Sequence, residues 1–148
     1  MQITIEKLTT DKAASKAFKP LFERYAAETG IKAFGKENPT FDMYRHAEKS
    51  GILRAFCAVT DAGDPVGLIV GIASLHPHFS EQTLSVDSIF VDKPYRNSSV
   101  SARLLSALFR TAKEGEHILI SCVPGTDLDR ELSHQKKFEL VSKVFRRK

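Results

Sequence analysis

Val91-Asp92-Lys93-Pro94-Tyr95-Arg96-Asn97-Ser98-Ser99-Val100-Ser101-Ala102-Arg103-Leu104-Leu105 is the stretch whose reading decides the fold. It follows an apolar run, Leu84 to Phe90, and leads into an apolar pattern with helical spacing. The order is therefore strand, tight polar turn, helix start. The first backbone N–H groups of a helix have no internal partner, and the helix dipole adds partial positive charge at the same end. A phosphate placed there meets several donors at once. The rest of the chain is read around that anion site.

With 148 residues, one domain spanning 1–148 is expected, long enough to bury a core without disulfides or metals. The apolar fraction of 42% and charged fraction of 27% are ordinary for a soluble globular protein. No apolar run approaches the roughly 18 residues that would span a bilayer, so no membrane partner is expected. The start, Met1 to Lys7, alternates like a strand and lacks the core of a signal peptide, which points to the cytoplasm. Cys57 and Cys122 each lie in an apolar strand-like run. Two such cysteines make neither a disulfide framework nor a zinc site, and no metal is expected. The net charge of +4 suits an anionic cofactor or partner without demanding nucleic acid.

Residues 2–8 read as a first strand. Thr10 or Asp11 caps a helix running to about Glu28, with Phe18, Leu21, Phe22 and Tyr25 on one face and a kink or a late helix start at Pro20. Ile31 to Pro39 reads as a loop, and Thr40 caps a helix from Phe41 to Lys49 that ends at Ser50-Gly51. Leu53 to Thr60 and Val66 to Leu75 form a hairpin over Asp61-Ala62-Gly63-Asp64-Pro65. After a break at His76 to Ser80, Thr83 to Val91 is the next strand. A helix follows over Ser99 to Lys113, with Leu104, Leu105, Leu108 and Phe109 as its buried stripe. His117 to Val123 is a strand, Thr126 or Asp127 caps a helix reaching about Gln135, and Phe138 to Phe145 is the last strand before a basic end. Hairpins combined with one strand–helix–strand crossover predict a mixed α/β (α+β) fold.

That order, with those residues at the end of the fourth strand, resembles the GNAT N-acetyltransferase family. The family's phosphate loop reads Arg/Gln-x-x-Gly-x-Gly/Ala after a strand ending in Val-x-Pro-x-Tyr-Arg. Here Val91-Asp92-Lys93-Pro94-Tyr95-Arg96 matches, followed by Asn97-Ser98-Ser99-Val100-Ser101. The likeness covers nearly the whole chain. The resemblance implies a mostly antiparallel central sheet, splayed at its middle strands and flanked by about four helices. Tyr44 to Leu53, with Leu75-His76-Pro77-His78-Phe79, is similar to a subgroup common in bacteriophages and prophages. Both loop glycines of the family are serines here, Ser99 and Ser101. Serine keeps its N–H, and Asn97 tolerates a left-handed turn.

The resemblance implies acetyl-CoA as co-substrate and a small-molecule or protein amine as acceptor. Arg96, Asn97, Ser98, Ser99, Val100, Ser101 and Ala102 would hold the diphosphate. Ile89, Phe90 and Val91 would hold the pantetheine and offer a backbone N–H, near Phe90 or Val91, to the thioester carbonyl. Asp87 is the candidate base: alternation puts it on one face with Ile89 and Val91, opposite Ser88 and Phe90, and a half-buried carboxyl there has a raised pKa. His78, in the break after the third strand, is a second proton-transfer candidate. The family's general acid is a tyrosine five residues before the phenylalanine of a Gly-Phe motif. Counting back from Phe138 reaches Ser133, so Ser133 or the adjacent His134 stands in its place.

Two readings stay open on these residues. One is an N-acetyltransferase working by direct attack of the amine. The other is a binding module of the same fold, weak or inactive in catalysis, that contacts a protein partner. The basic residues near the end, with only Phe138 and Phe145 among them, make a nucleic-acid role the weaker third. Pairing into a homodimer is left open by the sequence.

Overall fold

The architecture follows from one long hairpin with shorter elements leaning on it. In a computed structural model, residues 2–29 and 40–148 are described. Five strands, β1 (Ile3–Lys7), β2 (Leu53–Thr60), β3 (Pro65–His76), β4 (Glu81–Val91) and β5 (His117–Ile120), lie in sheet order 1-2-3-4-5. The first three pairings are antiparallel and β4–β5 is parallel. The helices are α1 (Thr10–Ala13), α2 (Lys19–Thr29), α3 (Phe41–Lys49), α4 (Val100–Phe109) and α5 (Asp127–His134).

Both faces of the sheet are covered. On one, Val100, Leu104 and Leu108 of α4 bury against Ala58, Ile69, Leu84, Val86 and Val91. On the other, Leu8, Phe18 and Leu21 bury against Cys57, Val59, Leu68 and Phe90. Burying a leucine such as Leu104 contributes about 1.5–3 kcal/mol over leaving it exposed. The α4 contact is unusually close. A Cβ on Gly71 would stand 3.0 Å from Leu108 Cδ1 and 3.1 Å from Leu84 Cδ1. On Gly67 it would stand 3.1 Å from the Phe90 carbonyl oxygen and 3.3 Å from Leu104 Cδ1.

Several expectations need correction. The helix expected over 10–28 is two helices: α1 stops after Ala13, and Pro20 stands in the first turn of α2, where its missing N–H costs nothing. Thr9, not Thr10 or Asp11, caps α1, its side chain accepting from the Lys12 N–H. Thr40 precedes α3 without a side-chain cap. The expected loop at 31–39 lies outside the described residues. α4 ends at Phe109 rather than Lys113, and β5 at Ile120 rather than Val123, because β4 supplies partners only as far as Val86. The strand expected over Phe138 to Phe145 is absent: those residues carry no regular structure.

A buried ion pair ties β2 to the turn before β5. Arg54 on β2 bonds bidentately to Glu116, the residue before β5, with Nη2 donating to Oε2 at 3.1 Å. Arg54 Nη1 also donates to the Thr111 carbonyl at 3.0 Å. The Glu116 side chain is only 2% exposed. Burial pushes its carboxyl pKa up, but the Arg54 hydrogen bonds and charge prevail and hold it below the usual 4.5. Glu116→Gln should therefore lower unfolding stability in urea by about 3 kcal/mol, since it strands the Arg54 charge. The wild type should lose this increment only as pH falls below 4.5 through the depressed pKa. Equal stability of variant and wild type would show that the pair is not a brace.

Candidate functional site

The geometry of the site starts from a single unpaired residue. In the β3–β4 register Val70 faces Ser88 and Gly71 faces Val86, so Asp87 is left without a partner. It is a β-bulge, and a bulge shifts the phase of everything after it. Before it, Leu84 and Val86 pack toward α4; after it, Ile89 and Val91 do. Asp87 meets the opposite side, where the Tyr44 hydroxyl of α3 donates to its Oδ2 at 3.4 Å. The expectation that Asp87 shares a face with Ile89 and Val91 is thus corrected, because alternation does not survive an inserted residue.

At the same point the sheet forks. β5 pairs with β4 from Thr83 to Val86 and no further, apart from the Ser121 N–H donating to the Val86 carbonyl at 3.0 Å. Beyond the fork the Asp92 N–H donates to the Val66 carbonyl of the β3 segment at 2.8 Å. By period two, the backbone groups of Phe90 also face β3, while those of Ile89 and Val91 face the open side. The Val91 carbonyl accepts from Arg96 Nε at 2.8 Å. The N–H groups of Ile89 and Val91 have no partner among the described residues. The amides able to serve a ligand in the fork are therefore those of Ile89 and Val91, and Phe90 is excluded.

Burial acts on the Asp87 carboxyl despite the exposure of the residue as a whole. Lost solvation pushes its pKa above the usual 3.8, with its own backbone N–H and the Tyr44 hydroxyl drawing it partly back.

The turn after β4 is a one-turn 3₁₀ helix, Lys93–Tyr95, followed by Asn97 at φ +59°. Asn97 therefore supplies the left-handed turn. Ser99 sits at φ −75°, ψ 0°, a backbone that needs no glycine. The Ser98 hydroxyl donates to the Tyr95 carbonyl and accepts from the Val100 N–H at 3.4 Å. The first intrahelical bond from this turn is the Arg103 N–H to the Ser99 carbonyl, at 2.9 Å. The N–H groups of Ser99, Ser101 and Ala102 stay without partners among the described residues, and Ser99 and Ala102 are exposed. An anionic group fits here: the N–H donors of Ser99, Ser101 and Ala102 are present, and the Ser98 hydroxyl takes up the Val100 N–H alone.

Arg96 does something the sequence did not disclose. Its Nη1 and Nη2 donate to the two carboxylate oxygens of Glu28 on α2, each at 2.7 Å, and Nη1 also reaches Asp127 of α5 at 3.2 Å. Its guanidinium lies 5.4 Å from the centre of the Phe90 ring, whose other neighbour is Tyr25, ring centres 5.2 Å apart. One turn earlier on α2, Arg24 holds Asp92 with contacts of 3.0 and 2.8 Å. So α2 is clamped to the end of β4 by two ion pairs, and Arg96 joins both to α5. Glu28, Arg24 and Asp127 were missed because isolated charges on a helix read as a solvated face. The Arg24–Glu28 spacing of four, matched to Asp92 and Arg96 four apart, is the signal that could have found them.

The other candidates stand apart. His78 is exposed at the tip of the β3–β4 hairpin, its N–H donating to His76 Nδ1 at 3.3 Å and its ring edge-on to Phe79. Asp87 lies six residues beyond Glu81, about 20 Å along the strand from that tip. The structure does not bring His78 to Asp87. The Ser133 hydroxyl donates to the Asp129 carbonyl at 2.7 Å, and His134 Nδ1 lies 2.6 Å from the Arg130 carbonyl. Both side chains are exposed and engaged with their own helix. Cys57 is buried, which pushes its thiol up to about 11; Cys122, partly exposed, has its Sγ 4.0 Å from Asp129 Oδ1. Among the described residues no three His, Cys, Asp or Glu side chains gather as a metal site, and no helix is long and apolar enough to cross a membrane.

The forked β4–β5 pair, the bulge at the fork and the open helix end beyond it lie within one stretch of chain, Asp87 to Ala102. Residues 16–130 match the family model described as acetyltransferase (GNAT) family, and the chain belongs to that family. No curated protein matches it. Among solved structures, a ribosomal-protein-alanine N-acetyltransferase from Brucella melitensis biovar Abortus 2308 is 22% identical, with TM-score 0.66 over 98% of this chain and 99% of that one. An aminoglycoside acetyltransferase from an uncultured soil metagenomic sample is 17% identical, TM-score 0.67, over 99% and 95%. A Trypanosoma brucei acetyltransferase is 14% identical, TM-score 0.68, over 99% of both chains. At these identities the likeness is one of fold.

The Arg96–Glu28 pair is partly buried, and the Arg96 hydrogen bond holds the Glu28 carboxyl below its usual 4.5. Arg96→Ala should cost about 2 kcal/mol and Glu28→Gln less, about 1 kcal/mol, because solvent screens the pair. The two losses should be non-additive by about 1 kcal/mol in a double-mutant cycle. Strict additivity would mean that α2 is held by something else. The stabilisation is present above pH 4.5 and fades as pH drops through the lowered pKa.

Proposed function

We propose that this chain is an acetyl-CoA-dependent N-acetyltransferase acting on an amine of a small molecule or a protein, with residues 1–148 as its working unit. The observation that carries the reading is the fork at Asp87, with the unpartnered amides of Ile89 and Val91 along one arm. Acetyl-CoA supplies, when bound, the acetyl thioester. The open N–H groups of Ser99, Ser101 and Ala102 are suited to its diphosphate, and those of Ile89 and Val91 to the pantetheine and the carbonyl oxygen.

Asp87 takes the proton of the attacking amine, directly or through one water. It stands where the arms part, and its raised pKa makes it a better base than an ordinary carboxylate. Tyr44 orients that carboxyl from α3, on the acceptor side. Arg96, which the family pattern would count among the diphosphate ligands, is assigned to holding the loop rather than the ligand, because its donors are used on Val91, Glu28 and Asp127. His78 has no part in this scheme. Ser133 and His134 are left as weak proton donors at most, and water protonates the leaving thiolate. The likeness of the Tyr44–Leu53 and Leu75–Phe79 segments to a bacteriophage-type subgroup, and a cytoplasmic setting, belong to the same reading.

One observation favours the second reading, a binding module without turnover: the hydroxyl of Ser133, where the family's acid would stand, is turned onto its own helix. Calorimetry separates the two. Acetyl-CoA should bind with a dissociation constant in the micromolar range; no heat at millimolar cofactor would leave only the module. For turnover, log kcat/KM should rise with pH through a limb above 3.8, because the base works deprotonated. Asp87→Asn should abolish that limb and lower kcat about a hundredfold. Tyr44→Phe removes a bond that lowers the Asp87 pKa, so it should move the limb to higher pH. An unchanged profile in Asp87→Asn would assign the base elsewhere.

A further inference from the structure

The site at the fork leaves the opposite edge of the sheet, the outer side of β1, without a role. β1 pairs with β2 alone. The Leu8 N–H donates to the Ala55 carbonyl at 2.9 Å, so by period two Thr4 and Glu6 turn their backbone groups toward β2 as well. Ile3, Ile5 and Lys7 therefore turn their N–H and C=O groups outward, where no strand among the described residues receives them. A row of such groups is a template for a further strand.

α4 runs beside that edge and leaves an open groove of about 430 Å³, bounded by Gln2 to Ile5 on one side and by Arg103, Ser106 and Arg110 on the other. Both arginines are exposed, and two helical turns set them about 10 Å apart. Alternation puts Lys7 on the face of Ile3 and Ile5, which pack toward α4. None of these three cations has an acidic partner among the described residues. The acid of β1 itself, Glu6, is paired with Lys12, and Asp61 accepts from the Gln2 N–H at 3.3 Å. The groove is a free strand edge walled by uncompensated positive charge.

Charge decides what can fill it. A second copy of β1 would set these three cations against the same three. The exposed segment 138–145 contains Lys143 and is flanked by Lys137 and Arg146, so it is repelled as well. The clustered acids of this chain, Asp127, Asp129 and Glu131, are held in a helix and cannot extend. We propose that the β1 edge binds an acidic, extended segment of a partner protein, which adds as a strand and sets carboxylates at alternate positions on Arg103 and Arg110. Side chains on one face of a strand recur about every 7 Å, a spacing two long arginines can meet. Backbone hydrogen bonds give the affinity, and the arginines choose the partner. The added strand lies four places from β4, about 19 Å away, and leaves the fork open. The inference rests on the fold and its charges, so its failure would leave the acetyltransferase reading untouched.

Fluorescence anisotropy on the full chain, without cofactor, gives the test. The probe is a labelled hexapeptide, Glu-Val-Glu-Val-Glu-Val. It should bind with a dissociation constant on the order of 100 μM at low salt and weaken as salt is added. Arg103→Glu/Arg110→Glu should weaken it about tenfold, with an unchanged far-ultraviolet spectrum. The same peptide with glutamine for each glutamate should lose a similar factor. A form N-methylated at every amide, equally charged but unable to donate, should not bind. No binding of the parent peptide at millimolar concentration, equal binding of either modified peptide, or indifference to the arginine variant would each overturn the proposal. A single-stranded oligonucleotide held by the same arginines where the peptide is not would overturn it in favour of a nucleic-acid surface.

Discussion

The structure turns on the residue of β4 that has no counterpart on β3. A strand paired without interruption would present one face throughout and run alongside its neighbours to its end. The extra residue at Asp87 breaks that continuity. It sends Ile89 and Val91 to the face that Leu84 and Val86 occupy, and it coincides with the loss of β5 as a partner. A polar backbone edge is thereby laid open in the middle of a sheet, where such edges are normally consumed. A carboxyl, two free amides and a helix end are collected within one bend of the chain.

Opening a sheet is costly unless something holds the separated arms. Here charge pairs do so. Arg24 with Asp92 and Glu28 with Arg96 anchor α2 across the end of β4, and Asp127 brings α5 to the same guanidinium. Neither pair is deeply buried, so each contributes modestly. Their value lies in sharing one residue among three elements. Phe90, between the Tyr25 ring and the Arg96 guanidinium, adds an apolar contact that salt does not screen.

Much of this was legible in the residues. The β2–β3 hairpin, α3 and the Thr126 cap of α5 stand where spacing and turn chemistry put them, because they are local. Asp87 stood out as the one acid in an apolar strand. What could not be read was non-local. A bulge has no signature in Asp87-Ser88 itself; it arises from the register with Val70-Gly71. The end of β5 depends on where β4 turns away. Phe138 to Phe145 has the composition of a strand, but composition does not supply a neighbouring edge. Arg96 was read through a family pattern as a ligand for phosphate, and its pairing with Glu28, 68 residues away, lay beyond any local signal.

Gly67 and Gly71 carry one more consequence. Each lies so close under a leucine of α4 that even a methyl group would make its neighbours give by a few tenths of an ångström. Should β3 slide along β4 during folding, Leu68, Val70 or Ile72 would be driven beneath that helix and the layers could not close. Misaligned hairpins are thus rejected by shape before hydrogen bonding can reward them. The two smallest residues of the strand act as a proofreading gauge, fixing to the residue where the sheet will part.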